Sequence, residues 1–269
     1  MKIPTRKMYL VPAFLCAIAV SFVLGGCGNK QSQESSQSSA PAEPVLALDS
    51  TTTGSISGKV VLDGAPPKPK TIDMGAEATC VQEHSTPVDF PEVVTGAHGA
   101  LANVAVYVKS GLGNYHFDTP KDPVILGQKG CMYDPHVLAL MVNQPMQVVN
   151  DDPVLHNIHV VARDNRSWNR SETAGMEPFA ETFSRPELAL VIKCNVHPWM
   201  RAFAFIFNHP YYEVTTKSGA FELKNLPPGT YTIEAWQEKY GVQDQTVTIG
   251  PKESKAISFT FKAAGSAAN

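Results

Sequence analysis

The chain has 269 residues, and its 22 Lys and Arg against 25 Asp and Glu give a formal net charge of −3. This near-neutral charge balance does not indicate nucleic-acid binding, because nucleic-acid binding needs concentrated positive charge. After the first 26 residues there is almost no long apolar pattern that repeats every 3.6 residues. Short runs rich in Val, Ile, Phe and Tyr are instead separated by Gly, Pro, Asn and Asp. This pattern predicts an all-β protein.

Residues 1–26 have the character of an export signal. A basic start at residues 2–7 precedes an apolar stretch at residues 8–24, which ends in Leu24-Gly25-Gly26-Cys27. A basic start followed by an apolar run is typical of a secretory signal, and the last four residues resemble the lipobox of bacterial lipoproteins. That resemblance implies cleavage before Cys27, a lipid on this cysteine and, because Gly28 follows it, the outer membrane. An ordinary signal peptide or a single transmembrane anchor is the alternative.

Residues 27–53 are polar and rich in Ser, Gln, Ala and Pro. A segment of this composition has too little apolar surface to fold by itself. As a coil it reaches on the order of 25–30 Å. We therefore expect a tether that gives the folded part room to meet its partners, and residues 264–269 form a short tail at the other end.

A second informative segment runs from Cys194 to Met200 and reads Cys-Asn-Val-His-Pro-Trp-Met. It places a thiol, the His197 imidazole and a thioether at three-residue intervals in one tight turn. A further histidine, His156, lies upstream between apolar strand-like runs. Two His and one Cys with a weak axial Met are the ligands of a blue-copper electron-transfer site.

This loop resembles the short ligand loop of the amicyanin and plastocyanin type of cupredoxin. The segments Leu155–His159, Tyr133–Leu140 and Gln147–Asp152 resemble the strands that carry the first histidine in that family. Over residues 122–208 the resemblance implies a Greek-key β-sandwich that binds one type 1 copper. The implied ligands are His156, Cys194, His197 and Met200, with Asn157 hydrogen-bonded near the cysteine sulfur. It further implies that the edge of His197 lies near solvent, in an apolar patch where a redox partner docks.

The flanking regions are also rich in strand patterns. We predict strands at 55–62 and 103–108 before the copper segment, and at 215–223, 226–235, 245–249 and 256–261 after it. Their Gly-x-Val, Gly-x-Phe and Leu-Pro-Pro-Gly-x-Tyr sequences resemble the carboxypeptidase regulatory-like module, a small transthyretin-like sandwich without catalytic residues. Residues 54–121 and 209–263 are therefore expected to form one discontinuous sandwich, with the cupredoxin unit inserted. Two sequential sandwiches are the alternative.

The remaining cysteines suggest a disulfide. Cys16 leaves with the signal, Cys27 carries lipid and Cys194 binds metal, so Cys80 and Cys131 remain in an exported and oxidising compartment. We predict a bridge between these two. The alternative is a second metal site that uses Cys131 with His136 and Cys80 with His84.

Three classes of function follow from these patterns. The leading hypothesis is a blue-copper electron carrier, anchored in the cell envelope and facing a redox protein in the periplasm. A module that buffers, delivers or senses copper without redox turnover is the second, and a structural envelope sandwich with a buried Cys194 is the third. An enzyme is not expected, because a copper oxidase would need His-x-His clusters for further copper ions and the sequence contains none.

Overall fold

Strand formation follows the alternation of apolar and polar residues. In the strand Ala220–Leu226 and the end of Ser254–Lys262, exposed and buried positions alternate, so that Phe221, Leu223, Phe259 and Phe261 point to one interior. The central strands Val137–Met141 and Arg201–Phe207 are instead buried almost throughout. A strand covered on both faces is expected to be nearly continuous in apolar residues. The sequence pattern thus separates outer strands from inner strands.

The computed structural model describes residues 46–263, and these are almost entirely β, which confirms the predicted fold class. Beside sixteen strands, the described chain contains the short helix α1 (Ala78–Gln82) and a 3-10 turn (Ala97–Gly99). The strands, in chain order, are β1 (Gly54–Asp63), β2 (Ala105–Ser110), β3 (Val124–Gln128), β4 (Tyr133–Asp134), β5 (Val137–Met141), β6 (Met146–Asn150), β7 (His156–Val161), β8 (Trp168–Glu172), β9 (Phe179–Glu181), β10 (Glu187–Lys193), β11 (Arg201–Phe207), β12 (Tyr212–Val214), β13 (Ala220–Leu226), β14 (Gly229–Gln237), β15 (Gly241–Ile249) and β16 (Ser254–Lys262).

Strands from the two ends of the chain pair with each other. One sheet has the order β13-β1-β16 and a second has the order β12-β2-β14-β15. In the first, β1 runs parallel to β16 over nine residue pairs, from Ser55 with Ser254 to Asp63 with Lys262. Their facing side chains form one core that includes Ile56, Val106 and Phe259.

The strands between β2 and β12 form two further sheets. Their orders are β4-β3-β6-β9 and β5-β11-β10-β7-β8. Leu126 and Val148 of the smaller sheet share a core with Ile158 and Ile192 of the larger one. This core also contains Cys194, so the predicted ligand loop lies at the edge of the packed interior.

The larger inner sheet also packs against the sheet that contains β2 and β14. Phe203, Phe205 and Phe207 on β11 form a cluster with Tyr107 on β2 and with the partly buried Trp236 on β14. Ring centroids are 4.9 Å apart for Tyr107 and Phe207 and 5.0 Å apart for Phe205 and Trp236. Burial of large aromatic side chains is the main source of stability in such an interface. The two pairs of sheets therefore share one apolar layer.

The connection between β1 and β2 contributes to both cores, because its last residues, among them Leu101, are buried in the outer core and its earlier residues in the inner one. Residues 64–104, which we call the cover segment, contain α1 and the 3-10 turn but no strand among the sixteen. Ile72, Met74 and Cys80 of this segment are buried in the same core as Cys194. The cover segment therefore lies against the end of the inner sandwich that carries the ligand loop.

Several sequence predictions concern the chain ends. The signal at residues 1–26, Cys27 and the tail at residues 264–269 lie outside the described residues. Of the predicted tether, only residues 46–53 are described, and there Leu46 pairs with Tyr115 in an isolated bridge and Asp49 organises a turn with Thr51. Within residues 46–263, no helix has the length and apolar character needed to cross a membrane.

Candidate metal centre

The loop between β10 and β11 presents the predicted ligands. The N–H of Cys194 donates to the carbonyl of Met200 at 3.1 Å, and the N–H of Met200 donates to the carbonyl of His197 at 2.9 Å. The N–H of His197 lies 3.4 Å from Cys194 Sγ and donates to it. These bonds close the seven-residue loop on itself, so its three ligand side chains start from one small region.

β7 brings the fourth predicted ligand to this loop. His156 is the first residue of β7, and β7 pairs with β10 in the same sheet. The Nδ1 atoms of His156 and His197 are 3.0 Å apart, and Cys194 Sγ is 3.8 Å from His197 Nδ1. One donor atom from each of the three residues lies within 4.8 Å of the others, and Met200 is fully buried in the adjoining core.

The chemistry of these donors fits copper. A thiolate and a thioether suit Cu(I), whereas imidazoles also suit Cu(II), and a His2Cys arrangement is typical of blue-copper sites. Cys194 is the free cysteine of the described chain. His156, Cys194 and His197 are each at most 4% exposed. A metal held by these atoms would therefore be shielded from water.

A buried carboxylate that the sequence analysis did not identify orients His156. Asp152 Oδ2 lies 2.7 Å from His156 Nε2 and also accepts the N–H of Cys131 at 2.7 Å. Its other oxygen accepts the N–H of Gly130 at 2.6 Å. A carboxylate on the far nitrogen of a histidine directs the near nitrogen to a metal. The signal was available, since Asp152 precedes His156 by four residues.

The electrostatics of the site favour a thiolate. Burial raises the pKa of the Cys194 thiol, but hydrogen bonds from His156 and from the backbone N–H groups of His197, Val196 and Asn157 outweigh burial and hold this pKa below its usual value. Burial lowers the pKa of His156, yet its bonds to Asp152 and Cys194 raise that pKa overall.

The pKa values of the other two members of the cluster, His197 and Asp152, are both lowered. Burial, followed by the charge of His156, lowers the pKa of His197. Burial raises the pKa of Asp152, but the bonds from His156 and from two backbone N–H groups lower that pKa overall. His197 is thus favoured as the neutral imidazole that a metal requires, while Asp152 is kept as a carboxylate.

Asn157 ties the two ligand-bearing segments together. Its side-chain oxygen accepts the N–H of Asn195 at 3.2 Å, and its amide donates to the carbonyl of Arg170 at 3.1 Å and to Asn169. The backbone of Asn157 also helps to lower the pKa of the Cys194 thiol. Asn157 therefore fixes the position of the ligand loop against β7 and β8.

Cys80 and Cys131 form a disulfide, which confirms the predicted bridge. Cys80 Sγ lies 3.5 Å from Nε2 of His197, and His197 is only 1% exposed. The expectation that the edge of His197 lies near solvent is therefore wrong, because the cover segment and its disulfide lie over that edge. Sequence reasoning missed this contact because Cys80 and His197 are 117 residues apart.

The histidines of the alternative metal site have other partners. His136 Nδ1 lies 3.0 Å from the carbonyl oxygen of Arg201 and its Nε2 lies 2.6 Å from Glu238. His84 Nε2 lies 2.7 Å from the carbonyl oxygen of Gly130. The groups of metal-binding side chains found in the described chain bring Cys80 and Cys131 to His197, not to His84 or His136.

Two apolar side chains and one aromatic ring surround the buried site at the surface. Leu155 precedes His156 and is 43% exposed, and Val196 precedes His197 and is 40% exposed. The ring of Trp199 is half-buried, lies 5.1 Å from the ring of His197 and donates from Nε1 to the carbonyl of Cys131 at 2.9 Å. Trp199 thus connects the buried histidine to the molecular surface.

Comparison with known proteins gave matches to parts of the chain. The sequence model of polysaccharide lyase family 4, domain II, matches residues 191–257, a range that begins within β10 and ends within β16. The carboxypeptidase regulatory-like resemblance of the flanks stays a prediction. No curated protein matches the chain.

Several solved structures resemble about a third of this chain. A copper-containing nitrite reductase (NirK) from Thermus scotoductus SA-01 is 23% identical with a TM-score of 0.30, over 33% of this chain and 23% of its own. A purple cupredoxin from Nitrosopumilus maritimus is 21% identical with a TM-score of 0.27, over 32% of this chain and 99% of its own. Amicyanin from Paracoccus versutus is 19% identical with a TM-score of 0.27, over 38% of this chain and 96% of its own. The function proposed below is therefore based on the residues of the site.

Proposed function

We propose that this protein binds one type 1 copper ion and transfers single electrons in the bacterial envelope. The observation that carries the proposal is the convergence of His156, Cys194 and His197, with Met200 closing the same loop. Their donor atoms come from two segments, yet they lie within 4.8 Å of one another in a buried position. Copper held by such donors alternates between Cu(I) and Cu(II) and so carries one electron.

The residues around the site orient its ligands and stabilise the thiolate, which favours electron transfer. Asp152 holds the Nε2 proton of His156 and leaves Nδ1 free to face the cluster. The backbone N–H groups that point at Cys194 stabilise its thiolate, and Asn157 keeps the loop in register with β7. A site whose ligands are held by the fold rearranges little when its charge changes, so electron transfer is fast.

Leu155, Val196 and Trp199 support an electron carrier rather than an enzyme. The two aliphatic residues expose apolar surface beside the ligand histidines, where a redox protein of the periplasm can dock. Trp199 offers a partly exposed aromatic contact to His197. We propose that electrons enter and leave through this face.

The lipobox-like sequence before Cys27 supports anchoring of the protein by a lipid at the outer membrane. Lipid chains on a single cysteine hold a protein at a bilayer surface without crossing it. Replacement of Cys27 by Ser is expected to move the protein from the membrane fraction to the soluble periplasmic fraction. A variant that still fractionates with membranes would place the anchor elsewhere.

The central test is the optical spectrum of copper-loaded protein. We expect an intense visible charge-transfer band and a reversible one-electron titration, because the Cys194 thiolate bonds directly to copper. Cys194→Ser should abolish the band, whereas Val196→Ala in the same loop should keep it. A Ser variant that stays blue would contradict the ligand assignment. Copper binding without a reversible one-electron step would instead favour a buffering or delivery protein.

A further inference from the structure

The Cys80–Cys131 disulfide lies against a proposed copper ligand. Cys80 Sγ is 3.5 Å from His197 Nε2, and in residues 46–263 this nitrogen has no other polar contact. The sulfur atoms of Cys80 and Cys131 and a ring nitrogen of His197 lie within 4.8 Å of one another. Both cysteines are fully buried and His197 is 1% exposed.

Opening the disulfide would convert this contact into a ligand set. Two thiolates and one imidazole nitrogen form a soft donor group, and soft thiolates select Cu(I). His197 directs Nδ1 to Cys194 and His156, so its Nε2 is the nitrogen that remains for a second ion. We propose that the reduced forms of Cys80 and Cys131, together with His197 Nε2, bind a second ion, Cu(I), beside the first site.

The redox step is a thiol–disulfide exchange with a protein dithiol. The donor's thiolate attacks one sulfur of the Cys80–Cys131 bond and releases the other cysteine as a thiolate; the donor's second thiol, as its thiolate, then attacks the donor sulfur of the mixed disulfide and releases the remaining cysteine. The donor dithiol becomes a disulfide, while two electrons and two protons pass to Cys80 and Cys131. Binding of Cu(I) releases the two thiol protons. When Nδ1 of His197 also holds a metal, Nε2 releases its proton as well.

The two cysteines differ in how firmly the fold holds them. The backbone N–H of Cys131 donates to the buried carboxylate of Asp152. Cys80 lies on the five-residue helix α1 of the cover segment, followed by Val81, which is 48% exposed. Cys131 lies in the loop between β3 and β4, where its bond to Asp152 holds it, whereas a five-residue helix beside an exposed residue opens readily. Cys80 is therefore the side that moves when the bridge opens, while Cys131 stays beside His197.

This second site goes beyond the proposed electron carrier, because it makes copper content depend on the thiol redox state. The oxidised chain would hold one copper, and the reduced chain would hold two that share the His197 imidazole. Its existence does not require the first site to be filled. A variant without Cys194 therefore tests it separately from the proposed function.

The experiment uses the full-length chain with Cys194→Ser, before and after reduction with dithiothreitol and removal of the reductant without air. The probe is Cu(I) buffered by a chromogenic chelator. Reduction is expected to add two titratable thiols and one bound Cu(I) per chain, with a gain in affinity for Cu(I). X-ray absorption should then show sulfur and nitrogen neighbours. Additional replacement of Cys80 and Cys131 by Ala should remove the response, and His197→Gln in the Cys194→Ser background should diminish the gain.

Three results would overturn the proposal. The first is an unchanged Cu(I) affinity although two thiols have appeared. The second is a full gain in the variant that also carries His197→Gln, because the cysteines would then bind copper without His197. The third is loss of the near-ultraviolet circular dichroism of the fold on reduction, because the site requires a folded reduced chain.

Discussion

Replacing Asp152 by Asn tests how the fold controls the first histidine ligand. The carboxylate accepts three hydrogen bonds, from the N–H groups of Gly130 and Cys131 and from His156 Nε2. An amide offers one oxygen. If that oxygen serves Cys131 and His156, the amide NH2 faces the N–H of Gly130, which is left without an acceptor. A buried donor without a partner costs about 1–3 kcal/mol of stability.

The loss of copper affinity should be similar in free energy to the loss of folding stability. Loss of the partner on the far nitrogen of a metal-binding histidine typically lowers metal affinity about 10–100-fold, which equals about 1.4–2.7 kcal/mol. Loss of the negative charge also favours Cu(I) over Cu(II), so the reduction potential should rise. Competition with a copper chelator measures the affinity, and a redox titration measures the potential.

Asp151→Asn is the matched control, since it removes the same charge from the neighbouring, exposed residue. It should leave the affinity for copper near that of the unmodified protein. If the Asp152 variant binds copper within about twofold of this control, the role of Asp152 in orienting the site is refuted.

Three further predictions concern the axial ligand, the disulfide and a buried histidine. Met200→Leu should keep copper and raise the potential, because the axial group tunes the site. Double replacement of Cys80 and Cys131 by Ala should lower the free energy of unfolding by about 4 kcal/mol, from closure of a loop with a sequence separation of 51, yet keep the visible band. Burial lowers the pKa of His209 to about 4. As the pH falls from about 6.5 to about 4, His209 therefore becomes protonated in the unfolded chain but stays neutral in the folded chain. Stability should fall by about 3 kcal/mol over this window, and His209→Gln should remove that part of the pH dependence in denaturant unfolding.

Each of these predictions has a control within the same chain. Met176→Leu changes a partly exposed methionine and should not shift the potential. A potential that is equally unaffected by Met200→Leu would contradict axial ligation. Intact-mass measurement with and without reduction verifies the disulfide, and a double Ala variant as stable as the unmodified protein would refute its energetic role. His116→Gln, at a side chain that is 77% exposed, should keep the full pH dependence. If His209→Gln also keeps it, another group is responsible.

Local patterns were sufficient for the all-β class and for much of the strand placement. The predicted strand at 55–62 lies within β1, and those at 245–249 and 256–261 lie within β15 and β16. Alternation of side chains between the two faces of a strand is a property of neighbouring residues, so sequence carries it directly. The strand predicted from residue 215 begins only at Ala220, because Thr216 to Gly219 form a turn in which Gly219 has a φ of 66°.

Local sequence patterns also predicted the ligand loop, but not the residues that surround it. Cys194, His197 and Met200 lie within seven residues, so their approach follows from one turn, and their side-chain types alone indicate copper. The position of Cys80 over His197 and the bond between Asp152 and Cys131 depend on how distant segments pack. The contact of Cys80 with His197 arises when the cover segment buries Ile72 and Met74 in the inner core, which is a gain in hydrophobic free energy that no short pattern encodes. The sequence by itself predicted the candidate donor set, whereas only the tertiary structure decided that His197 is buried beneath a disulfide.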